Sequence, residues 1–163
     1  MRDDDQIRSY IDHLVAEHRR LHSTLRQVRS SLVYAVCPDE TASFTEVTRI
    51  LVGLRDELAR HFAQEEEGGY LDEAVSHCPK LSAEAKRIEA EHPELLAEVD
   101  RLISQTRQLE PTPVNQFALQ REFEDLFHRI RAHEKSESEL LRQGFGTNFD
   151  DQPDSRSTLI HEI

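Results

Sequence analysis

The sequence predicts an all-α fold, an up-down-up-down antiparallel four-helix bundle. Three observations predict it. Four long segments carry apolar residues at helical spacing. Turns containing proline separate them, and glycine is scarce, which favours a few long helices over many short strands. A length of 163 residues suits one domain with a sizeable core.

The first segment, about 4–36, places Ile7, Ile11, Leu14, Leu21, Leu25, Val28 and Leu32 on one face. His18 fills the one gap in that rhythm. The acidic start suits a helix N-terminus and its dipole, and Cys37-Pro38-Asp39 closes the segment. The second, about 43–76, opens with Ser43-Phe44-Thr45-Glu46, which fits a capping box. Phe44, Val47, Leu51, Leu54 and Leu58 lead to His61 and Glu65, which share that face. This helix is expected to run on to Val75. Gly68 and Gly69 then either break it or open space beside the polar pair. His77-Cys78-Pro79 ends the segment.

The third segment, about 82–109, has Ser82 as its N-cap. Its seam reads Ala85, Ile88, His92, Leu95, Val99, Leu102. Pro93 lies inside and predicts one kinked helix, since its ring removes the bond to the carbonyl of Glu89. Thr112 and Pro113 form the next helix start. The fourth segment, about 113–143, carries Phe123, Leu126, Ile130, His133, Glu137 and Leu140. Gly144-Phe145-Gly146 ends it. Residues 1–143 are therefore the bundle, and 144–163 a flexible tail with a small apolar ending at Leu159-Ile160.

In such a bundle, residues equally far from a turn lie at equal depth. The midpoint between His18 and His61 falls beside Pro38-Asp39. That between His61 and His92 falls just before Cys78-Pro79, and that between His92 and His133 inside Pro111-Thr112-Pro113. Four histidines from four helices should meet at one level. The halves also repeat. Ala16-Glu17-His18 with Leu21 matches Ala90-Glu91-His92 with Leu95, and His61-xxx-Glu65 matches His133-xxx-Glu137. A pseudo-twofold results, with two similar ligand sets facing each other, an arrangement for two metal ions bridged by carboxylates.

A lone HxxxE is weak evidence in a chain with nine histidines. His13-xxx-Glu17 is a third instance, but it lies beside the seam and reads as a solvated face. His77, His128 and His161 lie off the seams and read as structural or exposed. Four histidines and two glutamates in the core are hard to explain as packing. Each uncompensated buried polar group costs roughly 1–3 kcal/mol, against a total stability of about 5–15 kcal/mol. Imidazole with carboxylate suits iron, zinc or manganese, and paired sites with bridging glutamates favour iron. A ferritin-like di-iron site would need Glu-x-x-His twice; Glu89 to His92 supplies it once.

These residues resemble the hemerythrin-like family, also called HHE cation-binding domains. The match is His18, His61-xxx-Glu65, His92 and His133-xxx-Glu137, with HFAQEE and AEHPELL as family-like wording. The resemblance implies a bundle holding a non-haem di-iron site with Glu65 and Glu137 as bridges. The oxygen-carrying hemerythrins have HxxxH on the third helix and a histidine-to-aspartate spacing of five on the fourth. Here Leu96 follows His92 at that position, and Glu137 follows His133 at spacing four. The HxxxH is instead His18-xxx-His22, the mirror position. This implies one iron on His18, His22 and His61, and a second on His92 and His133 with an open position. The other reading of His22 is a flank residue bonded to solvent or a neighbouring carboxylate.

The expected function is a ligand-binding metalloprotein rather than an enzyme, one that binds or senses dioxygen or nitric oxide. Gly68 and Gly69 are expected to keep its access route open. The alternatives are iron storage or delivery, iron–sulfur repair, or a di-iron oxidase or peroxidase-like enzyme. None of Tyr10, Tyr34 and Tyr70 can be placed as a redox relay from the sequence. A net charge of −12 disfavours nucleic acid and anionic membranes as partners. The N-terminus lacks signal-peptide character, no run reaches membrane-spanning length, and Cys37 and Cys78 form no CxxC. A cytoplasmic protein without a disulfide is the expectation.

Overall fold

A computed structural model describes residues 2–37 and 41–146. Their regular structure is all helix: α1 (Asp4–Tyr34), α2 (Thr45–Gly68), α3 (Tyr70–His77), α4 (Ser82–Gln108) and α5 (Pro113–Phe145), with a 3-10 turn at Pro79–Leu81. The Pro38-Asp39 turn and the tail from 147 onward, including Leu159-Ile160, lie outside the described residues.

Local chemistry explains most of the boundaries. Asp3 caps α1 and closes a reciprocal box with Gln6. Thr112 accepts from the Asn115 amide, with Pro113 at the first helical position, as the sequence predicts. The box expected at Ser43 does not form. Ser43 Oγ accepts from the Thr45 amide instead, and Phe44 takes the capping position with its ring buried. Burial of an aromatic ring outweighs a cap of about 1 kcal/mol. Ser82 is the first residue of α4, which follows directly from the 3-10 turn. The expected single helix to Val75 is two helices. Gly69 adopts φ +68°, a left-handed corner open to glycine at little cost, so α2 stops and α3 starts at once. Helix α4 continues through Pro93.

The long helices pack in a closed cycle, α1 on α2, α2 on α4, α4 on α5 and α5 on α1. Two apolar clusters result. The larger holds Leu21, Leu25, Leu54, Leu58, Leu95 and Ile130 among others. The smaller holds Leu14, Leu71, Ala74, Ile88, Leu140 and Leu141. On every long helix the seam histidine falls at the edge of the larger cluster. It lies just before its cluster residues on α1 and α4, just after them on α5, and after all but Phe62 on α2. The polar residues therefore form one layer against the apolar core.

Gly144 does not end α5. It lies inside the helix, and Gly146 at φ +67° forms the end by donating its amide to the Arg142 carbonyl. Gly144 is needed because α3 crosses it closely: a Cβ there would meet Ala74 Cβ at 2.5 Å and Ala74 Cα at 2.9 Å. Gly144→Ala is expected to cost about 1–3 kcal/mol as the helices are forced apart, seen as a lower urea midpoint. No helix among the described residues is long and apolar enough to cross a membrane. Cys37 and Cys78 are free thiols.

Candidate metal centre

The polar layer is shut off from water. His61, Glu65, His92, His133 and Glu137 are each at most 3% exposed. His18 is half-buried, but its Nε2 atom is enclosed. Two groups form. His18, His61, Glu65 and Glu137 bring one ligand atom each within 4.8 Å of one another, and Glu65, His92 and His133 do the same. Glu65 belongs to both and divides its oxygens between them. Oε1 lies 2.6 Å from His61 Nε2, and Oε2 lies 3.0 Å from His92 Nε2. Glu137 Oε2 is 3.8 Å from His133 Nε2.

These contacts are close but poorly aligned for hydrogen bonding. The Nε2 atoms of all four histidines, and both oxygens of Glu65 and Glu137, are buried without a hydrogen-bond partner. Most buried polar atoms in proteins have one. Eight orphaned nitrogen and oxygen atoms on the members of the two groups are a donor set suited to metal, and no sulfur is among them. The residues present fit a metal ion at either group.

The outward nitrogens are held. His61 Nδ1 donates to Glu17 at 2.7 Å, His92 Nδ1 to Glu66 at 2.9 Å, and His133 Nδ1 to Glu91 at 3.2 Å. A carboxylate behind Nδ1 fixes the tautomer that leaves Nε2 with its lone pair for a metal. The sequence reading missed these glutamates. It assigned Glu17 to a solvated face with His13, and His13 does reach it at 3.1 Å. But the other Glu17 oxygen turns inward to His61. A signal was present: Glu17 and Glu91 each precede a histidine in the two AEH repeats, and each supports the histidine of a neighbouring helix. Glu17→Gln or Glu91→Gln is expected to weaken metal affinity about 10–100-fold, measurable by competition with a chelator.

His22 stands outside both groups. Its Nε2 lies 2.5 Å from Glu134 Oε2, a contact of the kind the flank reading describes. The twofold explains the asymmetry. The mirror of His22 and Glu134 is Leu96 and Phe62. Phe62 stacks flat on His92, centroids 4.1 Å apart, and meets His133 edge-on at 5.4 Å. One half of the centre is thus flanked by a polar pair and the other by an aromatic wall. His22→Leu is expected to leave metal content unchanged. It should cost about 1–3 kcal/mol in stability by stranding buried Glu134, read from thermal melts.

The electrostatics follow from burial and from Glu65. Burial, with His61 alongside, pushes His18 down to about 3. Burial also lowers His133. For His61 and His92 burial pulls the same way, but Glu65 with Glu17 or Glu66 outweighs it and holds both above the ordinary histidine value. Burial raises Glu65 less than His61 and His92 lower it, so it stays ionised. Burial and the neighbouring Glu65 push Glu137 well up. Without metal, protons do part of a cation's work around Glu65.

A family model for the hemerythrin HHE cation binding domain matches residues 4–143. The chain belongs to the hemerythrin HHE family. The hemerythrin match takes in every residue of both ligand groups and the three supporting glutamates. No curated protein and no solved structure matches the chain. In this hemerythrin-like chain Gly69 serves the left-handed corner, since a Cβ there would meet nothing within 4 Å. Added Cβ bulk at Gly68 would press on the Tyr70 ring at 3.1 Å. A cleft of about 380 Å³ reaches His61 between α1 and α2, past His13, Glu17, Arg20, Arg60 and Gln64. Neither Gly68 nor Gly69 lines that cleft.

Proposed function

We propose that the protein is a non-haem di-iron protein that binds or senses dioxygen or nitric oxide. The observation that carries this is the set of inward Nε2 and carboxylate atoms without partners. One iron would be held by His18, His61, Glu65 and Glu137, the other by His92, His133 and Glu65. Imidazole–carboxylate donors suit iron, and iron would supply reversible redox change with a position for a diatomic ligand. The chain's own residues supply the rest. Glu65 bridges, Glu17, Glu66 and Glu91 orient the rings, and the apolar clusters keep bulk water out. The four long helices form an up-down-up-down bundle in this reading, supported by the alternating side on which the larger cluster meets each histidine.

The family spacing favours an open position beside His92 and His133. Phe62 covers that side with its ring, while the cleft opens at His61. We therefore place ligand access at the His18–His61 half. Anaerobic iron loading followed by optical spectra tests the whole reading. Two irons per chain, and a charge-transfer band that forms with dioxygen and bleaches when it is removed, are expected. Failure to take up iron overturns it. Iron that passes readily to a chelator after oxidation would favour the storage or delivery role instead.

A further inference from the structure

Tyr10 and Tyr70 stand beside the centre and have no part in its ligand set. Tyr10 lies two helical turns before His18 on α1, about 12 Å along the axis. Tyr70 opens α3. Their rings stack with centroids 3.4 Å apart and planes 6° apart. Arg2 covers the other face of Tyr70, its guanidinium carbon 3.9 Å from the ring centre. Arg2 is tied in turn to Glu73 and the Gly68 carbonyl. Both rings pack on the smaller apolar cluster with Leu14 and Leu140, one turn from Glu137 on α5. Burial raises the Tyr10 phenol, and the charges of Glu137 and Glu65 raise it further, which places it within electrostatic reach of both core carboxylates. The chain has three tyrosines. The third, Tyr34, is 69% exposed at the far end of α1.

We propose that Tyr10 and Tyr70 are a paired one-electron donor to the centre, used when it meets a hydroperoxide. This rests on the di-iron reading above. Reduction of hydrogen peroxide consumes two electrons and two protons, and two phenols supply one of each apiece. The O–O bond breaks and both phenolic O–H bonds break. Two water molecules and two phenoxyl radicals result. A small reductant of the ascorbate class then returns a hydrogen atom to each ring. Stacking couples the two phenoxyl radicals to one another, and Arg2 with Glu73 holds the rings in register. Phenylalanine would fill the same apolar space but has no hydrogen atom of this kind to give.

The test uses the iron-loaded full chain, with iron content measured first. The protein is mixed with hydrogen peroxide and examined by rapid optical absorption for the sharp phenoxyl line, which does not require the two stacked radicals to be magnetically isolated. The line is expected in the native chain and in Tyr34→Phe. It should be lost in the Tyr10→Phe/Tyr70→Phe double variant, whose rings remain and whose iron content is unchanged. A native chain with two irons and no tyrosyl line overturns the paired donor and leaves the metal centre standing. A line that survives the double variant does the same. A native chain that takes up no iron overturns both readings.

Discussion

Replacing Glu65 with alanine is expected to empty both halves of the centre. Its two oxygens serve different histidines, 2.6 Å from His61 Nε2 and 3.0 Å from His92 Nε2. Among the described residues it is the member common to both groups. Loss of a residue that merely supports a ligand costs about 10–100-fold in affinity, so loss of a shared ligand should exceed the upper end of that range for each ion. The substitution also removes the charge that His61 and His92 keep ionised at neutral pH. Glu137→Ala, by contrast, removes a ligand from the His18–His61 group alone and should spare part of the metal. Elemental analysis after desalting checks both. A Glu65→Ala chain that retains two ions would show that Glu65 is no bridge.

Metal removal is expected to lower the melting temperature, and acid to remove metal and stability together. An ion that binds the folded chain alone adds about 2.7 kcal/mol when free metal is a hundredfold above its Kd. At about 2–4 °C per kcal/mol for a chain of this size, that is roughly 5–10 °C. The proton balance has two signs. His18, held down at about 3, and His133, also lowered, are neutral in the fold. Below the ordinary value of 6.5 the unfolded chain takes up a proton that the folded chain refuses at His18, so stability falls as pH drops from 6.5 toward 3. His61 and His92 are raised. Their contribution in the metal-free chain is full below the ordinary value and is lost as pH rises through their folded values. Metal must displace those protons, so loading should release protons near neutral pH. Melts of loaded and chelator-treated protein across pH 4–8 test the coupling, and a pH indicator tests the release. Equal melting temperatures for the two forms would separate metal from folding.

Much of the centre was legible because ligands on a helix obey its period. His61 and Glu65, and His133 and Glu137, share faces by spacing alone, and the turns put four histidines at one depth. The supporting glutamates were less legible. Glu17, Glu66 and Glu91 flank the seams, where a charged residue ordinarily faces water. Whether it turns inward depends on the neighbouring helix, which no spacing within one helix reports. His22 shows the reverse. Its HxxxH spacing with His18 marks it as a ligand candidate, yet Glu134 across the interface engages it.

The sequence by itself determined the four long helical segments, the four seam histidines and the two seam glutamates, because each follows from periodicity, proline turns and an internal repeat within the chain. The tertiary structure decided what depends on two elements meeting. It kept Gly144 small against Ala74, and set Phe62 on one half of the centre and His22 with Glu134 on the other. It also stacked Tyr10 on Tyr70, sixty residues apart in sequence. Contacts of this kind arise from the distance and facing of separate helices, and the local pattern of a single chain segment does not encode them.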